Sequence, residues 1–100
     1  MRALIFSPEA TEHLGTIESY ITSRSSVETA ANFVNSIIAY CEGLPQFPER
    51  GRARNDLRPG LRLVGFRRRV TIAFSVDPEM VIILGVYWGG RDVEYWLGDR

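Results

Sequence analysis

The chain has 100 residues, of which 45% are apolar and 11% aromatic, so it is long enough for one domain with an apolar core. We therefore treat residues 1–100 as a single domain. The composition excludes a disordered tail, a collagen-like repeat and a low-complexity linker. One cysteine and one histidine exclude an internal disulfide and a metal site built on Cys or His clusters. We accordingly predict no metal and no cofactor.

The formal net charge is zero, which is unusual for a nucleic-acid-binding module, but the charge is segregated along the chain. Residues 1–49 carry a formal charge of −4 and residues 50–100 carry +4. Residues 50–69 alone hold eight Arg and one acid, Asp56. All twelve basic residues are Arg, which stays protonated and holds anions but rarely relays protons. These features favour anion binding over acid–base chemistry.

The first apolar run, Ala3–Phe6, predicts a short strand. Ser7 and Pro8 follow it, and these residues suit the N-cap and the first position of a helix. The run is too short for a signal peptide or a membrane span. We therefore expect no membrane association and a cytoplasmic location.

Two amphipathic helices are predicted next. Apolar residues recur at helical spacing over residues 10–21 and again over residues 30–44, and Gly43 and Pro45 are predicted to end the second helix. In the short polar joint between them, Ser25 and Glu28 have the spacing of a capping box. A short joint between two helices indicates an antiparallel hairpin.

The second half is predicted to be a long loop followed by a three-stranded meander. Residues 45–60 hold three Pro and two Gly, and strands are predicted at Leu61–Phe66, Val70–Val76 and residues 80–87. The last strand is nearly all apolar, which predicts burial on both of its faces. A final helical turn is predicted over residues 91–97. The order βααβββ describes an α+β fold in which the helix hairpin packs on a small, antiparallel-rich sheet. The expected core contains Leu14, Ile17, Phe33, Ile37, Phe74, Ile82 and Leu84.

The arginines of the second half have two interpretations. They belong either to a solvated loop and edge strand or to a strip that binds anions, namely phosphate or an acidic protein. Asp56 could instead pair with a neighbouring Arg and simply hold the loop. Three of the arginines are consecutive at a predicted hairpin tip, where their mutual repulsion favours water or an acidic partner. The candidate residues are Arg52, Arg54, Arg58, Arg62, Arg67, Arg68 and Arg69.

Four aromatic residues lie near the C-terminus: Tyr87, Trp88, Tyr95 and Trp96. Some of them can cap the core, but aromatic residues beside Arg are also typical of protein interfaces and base-stacking sites. His13 is interpreted as a surface residue and Cys41 as a small buried hydrophobe. No catalytic triad, phosphate loop or carboxylate pair can be identified, so we predict no catalytic residue.

Four segments together carry a resemblance to a known family. They are residues 7–10 (Ser-Pro-Glu-Ala), 56–62 (Asp-Leu-Arg-Pro-Gly-Leu-Arg), 70–74 (Val-Thr-Ile-Ala-Phe) and 89–92 (Gly-Gly-Arg-Asp). In this order and spacing the chain resembles the ParE branch of the RelE/ParE superfamily, the toxins of type II toxin–antitoxin systems. The resemblance covers nearly the whole chain, and it implies the same βααβββ fold.

The resemblance implies two possible activities. ParE-like toxins inhibit DNA gyrase by binding, whereas RelE-like toxins are ribosome-dependent mRNA endonucleases. Arg62 and Arg91 fall on positions of the nuclease site, but Val64 and Thr71 occupy other positions that are basic there, and Trp88 replaces a common His. Cleavage also needs groups that accept and donate protons, so the ParE-like activity is favoured. A non-toxic interaction module is the third possibility.

The resemblance also implies a partner. ParE-like toxins are neutralised by a ParD-like antitoxin with an acidic C-terminal segment, and they contact operator DNA only through it. We expect this antitoxin to bind the candidate arginines. We expect the target to bind Trp88, Arg91, Tyr95 and Trp96.

Overall fold

The computed structural model describes residues 2–89, in which two helices pack on one face of a five-stranded mixed sheet. The sheet order is β1-β5-β4-β3-β2, and every pair is antiparallel except β1 with β5. This confirms the predicted α+β class and places the first strand at an edge. The elements are β1 (Ala3–Phe6), α1 (Pro8–Arg24), α2 (Val27–Glu42), β2 (Arg52–Ala53), β3 (Leu61–Phe66), β4 (Val70–Val76) and β5 (Met80–Trp88).

The start of α1 follows the prediction, but the start of α2 does not. The hydroxyl of Ser7 accepts a hydrogen bond from the Ala10 N–H at 3.0 Å, as an N-cap does. The N-cap of α2 is Ser26, whose hydroxyl accepts from the Thr29 N–H at 3.0 Å. Ser25 instead closes α1 by donating its N–H to the Ile21 carbonyl. The predicted capping box was therefore wrong by one residue, because the two helices are joined more tightly than the sequence pattern indicated.

The main core lies between the helix pair and the sheet. Ile37 on α2 and Phe74 on β4 are fully buried there, with Ile83 on β5. The prediction that β5 is buried on both faces was wrong: Ile82 and Leu84 are only half-buried, because the helices cover one face of the sheet. Leu84 packs on the opposite face against a smaller cluster of Leu61, Leu63 and Ala73. Phe33, also predicted as core, is half-buried at the margin of the helix pair. No helix among residues 2–89 is long and apolar enough to span a membrane.

Cys41 on α2 is fully buried, and this burial raises the pKa of its thiol from 9.0 to about 12. We expect no alkylation of the folded protein by iodoacetamide at pH 8, followed by labelling once urea is added. Above pH 9 the thiol ionises in the unfolded chain first, so the free energy of unfolding should decrease towards pH 12, by up to about 1.4 kcal/mol per pH unit. Rapid labelling at pH 8 without denaturant would contradict this burial.

Part of the segment predicted as a loop is ordered as a strand. The two-residue strand β2 pairs with β3 through Arg52 opposite Leu63 and Ala53 opposite Arg62. Gly51, just before β2, has a φ of 72°, a backbone conformation that favours glycine. The element order is thus βααββββ rather than βααβββ. A strand of two residues has no periodicity in the sequence, so its pattern could not predict it.

Candidate functional site

The seven candidate arginines divide into two groups on neighbouring strands. Four lie on β2, on β3 or in the loop between them, and we call these the loop arginines: Arg52, Arg54, Arg58 and Arg62. Three form the turn between β3 and β4, and we call these the tip arginines: Arg67, Arg68 and Arg69. The structure therefore presents two basic surfaces rather than one continuous strip.

Two of the loop arginines hold the loop itself. Arg54 forms a bidentate ion pair with Asp56: Nε donates to Oδ1 at 2.9 Å and Nη2 donates to Oδ2 at 2.8 Å. These hydrogen bonds lower the pKa of the Asp56 carboxyl. Arg62 donates from Nε to the Arg50 carbonyl at 3.0 Å. The alternative in which Asp56 pairs with a neighbouring Arg is confirmed. Arg52 and Arg58 are exposed, so these two are the loop arginines best placed for a partner.

The tip has an unusual backbone. Arg67 and Arg68 have positive φ angles of 52° and 59°, and the Arg69 N–H donates to the Phe66 carbonyl at 3.1 Å. Positive φ at both central residues is typical of a type I′ turn, which Asn and Gly usually form. A bulky L-residue in this region costs about 1–2 kcal/mol. All three tip side chains are exposed to solvent, so the turn holds its charges outward at an energetic cost.

The end of β5 lies against this tip. The Gly89 N–H donates to the Arg69 carbonyl at 2.6 Å, and Trp88 lies opposite Val70 on β4. Trp88, one of the predicted target-binding residues, remains 38% exposed. A shallow concavity of about 490 Å³ lies between the tip arginines, Trp88 and Gly89. An indole and three guanidinium groups thus share one open surface.

A chain of ring contacts extends from Trp88 along the boundary between the helices and the sheet. Its ring centroids are separated by 5.4 Å (Tyr20 to Trp88), 6.0 Å (Trp88 to Phe33), 6.2 Å (Phe33 to Phe66) and 5.4 Å (Phe66 to Tyr40). These separations are typical of favourable aromatic pairs. We call these five residues, Tyr20, Trp88, Phe33, Phe66 and Tyr40, the aromatic row.

Arginines outside the loop group lie over the aromatic row. The guanidinium carbon of Arg24 is 4.5 Å from the centroid of Tyr20, and that of Arg50 is 5.1 Å from the centroid of Tyr40. Such cation–π contacts keep the charge at the surface beside an apolar face. Arg24 and Arg50 were not among the sequence candidates. The contact of Arg24 with Tyr20 has the i, i+4 spacing of one helix, whereas the contact of Arg50 with Tyr40 depends on the tertiary fold.

His13 has a structural role that its sequence position did not indicate. Its Nδ1 accepts a hydrogen bond from the Val86 N–H at 3.1 Å, and its ring lies 4.9 Å from that of Tyr87. The short strand β1 ends opposite Ile83, so α1 covers the rest of this edge of β5. His13 therefore supplies the acceptor that a strand neighbour would otherwise provide.

The remaining predicted site residues, Arg91, Tyr95 and Trp96, lie outside the described residues, and so does the helical turn predicted over residues 91–97. Among residues 2–89, no three His, Cys, Asp or Glu side chains come together as a set of metal ligands. The described part of the site is thus a surface of arginines and aromatic rings.

Comparison with known proteins agrees with this architecture. A family model described as the ParE toxin of type II toxin–antitoxin systems matches residues 4–93. The chain is 30% identical over 80 residues to Toxin ParE3 of Caulobacter vibrioides, covering 80% of this chain and 79% of that protein. A solved structure of a chromosomal ParDE toxin–antitoxin system from P. aeruginosa has the same fold, with a TM-score of 0.76 and 24% identity over 88% of this chain and 96% of that one. The chain therefore belongs to the ParE family of toxins of type II toxin–antitoxin systems.

Proposed function

We propose that this ParE-type toxin acts in the cytoplasm by binding DNA gyrase and is neutralised by a ParD-like antitoxin. The observation that carries the proposal is the surface on which Trp88 joins the aromatic row and the tip arginines. Indole and guanidinium groups dominate the binding energy of protein interfaces. Trp88 is the described part of the target-binding surface, and Arg91, Tyr95 and Trp96 complete it in the proposal.

The chemistry of the described residues supports binding rather than RNA cleavage. Arg62, which falls on a nuclease position, donates to the backbone carbonyls of Arg50 and Gly51. His13 accepts the Val86 N–H on β5, which β4 separates from β3, and it is the one histidine of the chain. Cleavage would need a proton acceptor and a proton donor beside the scissile bond. We therefore assign no catalytic residue.

The aromatic row and its arginines suit the antitoxin. An amphipathic segment that folds on binding could place its apolar side chains on the row and its carboxylates on Arg24 and Arg50. Beyond the row, the exposed loop arginines, Arg52 and Arg58, and the tip arginines offer the antitoxin further positive charges. In this proposal Arg54 and Arg62 contribute indirectly, because they position the loop.

Charge reversal at the exposed loop arginines tests this assignment. The double variant Arg52→Glu and Arg58→Glu should slow association with the antitoxin about tenfold or more at low salt, and much less at high salt, because steering charges are screened. Stopped-flow fluorescence measures the rate, and the melting temperature should stay unchanged. Arg62→Glu is a poor substitute, since it removes the donor to the Arg50 carbonyl. Unchanged association at low salt would mean that these side chains are merely solvated.

Growth assays distinguish an active toxin from a silent interaction module. The chain is expressed from an inducible promoter, with and without the small open reading frame beside its gene. We expect growth to stop on induction and to recover when the neighbouring protein is made. Normal growth of cells that contain the folded chain would contradict the proposed toxicity.

A further inference from the structure

The tip arginines and Trp88 form a surface whose composition differs from that of the loop. We propose that this surface binds a single-stranded segment of DNA, with phosphates on Arg67, Arg68 and Arg69 and one base stacked on Trp88. This inference rests on the proposed function and deepens it. Gyrase acts on DNA, so a toxin bound to gyrase lies close to DNA. The inference adds a direct contact between the toxin and the nucleic acid.

The charge density of the tip points to a phosphate backbone. Three consecutive residues carry three exposed guanidinium groups, and within residues 2–89 the one ion pair is that of Arg54 with Asp56, in the loop. No carboxylate of the described part therefore compensates the tip. A strand of nucleic acid presents its charges closely and independently of base sequence, about one per 3.4 Å along one strand of a duplex. An acidic peptide matches these charges only where several consecutive residues are acidic, so DNA would compete for the tip with the acidic segment of the antitoxin.

The backbone of the tip supports a binding role. Positive φ angles at Arg67 and Arg68 are unfavourable for these side chains, and Asn with Gly would form the same turn without this cost. Strained residues of this kind cluster at ligand sites. The hydrogen bond from Gly89 to the Arg69 carbonyl fixes the tip relative to the end of β5. The backbone of the tip is thus held beside Trp88 before a ligand arrives, and the Arg67 guanidinium carbon lies 5.1 Å from the centroid of Phe66.

Trp88 has the environment of a stacking platform. Its ring packs against Tyr20 and Phe33 at centroid distances of 5.4 and 6.0 Å, which fix its orientation, yet 38% of the side chain remains exposed. A base can stack on such a ring when it is not stacked on adjacent bases, as in single-stranded DNA. Duplex bases remain stacked on each other, so the surface should prefer single-stranded DNA.

The double variant Arg67→Asn and Arg68→Gly gives a sharp test, because it removes two charges and also relieves the turn. Binding of a fluorescein-labelled twelve-base DNA strand is measured by anisotropy at several salt concentrations. We expect about a tenfold or greater loss of affinity at low salt. The slope of log K against log salt should fall by about 1.4, which corresponds to two lost phosphate contacts. Relief of the strained turn should offset the lost contact of Arg67 with the Phe66 ring, so the melting temperature should not fall and unfolding cannot explain the loss.

Three further arms complete the experiment. Trp88→Ala should weaken single-strand binding by roughly 5- to 100-fold, and the wild-type chain should bind the same strand more tightly than its duplex. Arg2→Ala, at the opposite end of the sheet, should leave binding unchanged and serves as the matched arginine control. The proposal is overturned if the tip variant keeps its affinity and salt slope, if Arg2→Ala weakens binding equally, or if polyglutamate binds as tightly as DNA. Gyrase is absent from this assay. A toxin that inhibits gyrase but does not bind single-stranded DNA would therefore contradict this inference and leave the proposed function intact.

Discussion

Replacing Phe74 by alanine is expected to lower the free energy of unfolding by about 3–5 kcal/mol, because a large ring leaves a cavity that the core cannot fill. Phe74 is fully buried on the central strand β4, in the cluster that joins both helices to the sheet. The loss is a large fraction of the roughly 5–15 kcal/mol that stabilises a typical domain. Urea denaturation followed by circular dichroism measures it.

Phe33→Ala is the matched comparison for this prediction. Phe33 is half-buried, so removing its ring exposes less new cavity surface, and we expect a smaller loss of about 1–3 kcal/mol. It also removes the edge contact with Trp88, which makes it informative for partner binding. Equal losses for the two variants would mean that the core is not centred on β4.

Gly51→Ala is expected to be the most damaging change in the basic loop, with a loss of about 2–4 kcal/mol. A methyl group at Gly51 would overlap the Leu63 carbonyl oxygen and lie 2.8 Å from the Val64 Cβ, and the residue has a φ of 72°. Both the steric overlap and the backbone strain oppose the native pairing of β2 with β3. The loop arginines should then lose their fixed positions, and antitoxin association should weaken together with stability.

Gly65→Ala, on β3 itself, is the control for this change. A methyl group at Gly65 would meet nothing within 4 Å, and its φ lies outside the left-handed region. Reduced entropy of the unfolded chain should therefore raise its stability by up to about 1 kcal/mol. Opposite signs for the two glycine variants, measured by thermal denaturation, would support the ordered loop. A neutral Gly51→Ala would show that β2 does not pair as described.

Local signals in the sequence predicted most of the fold. The Ser7–Pro8 start of α1, the helical spacing of apolar residues and the alternation along β4 all reflect short-range physical preferences. The errors came from the demands of neighbouring elements. Ser25 was needed by the end of α1 and could not cap α2. Ile82 is apolar, but whether a strand is covered on one face or two depends on how many layers the domain has.

The site was harder to predict than the fold, for a related reason. Composition identified the basic segment, but it could not distinguish Arg62, which holds a backbone carbonyl, from Arg58, which is exposed. That difference depends on the strand register between β2 and β3. The aromatic row likewise joins residues from four different elements, so no spacing in the sequence indicates it. Of the five residues in the row, only Trp88 was predicted from the sequence as a binding residue, because other aromatic residues and an Arg lie near it in the sequence.

The most direct test of the proposed function is a plasmid supercoiling assay with purified DNA gyrase and the purified toxin. We expect supercoiling to be lost in the presence of the toxin and restored when the toxin is first mixed with its antitoxin, because the proposal assigns both partners to the same exposed rings and arginines. A parallel reaction contains translating ribosomes and messenger RNA, which should remain intact. Normal supercoiling together with cleavage of ribosome-bound messenger RNA would contradict the account and assign the chain to the nuclease branch.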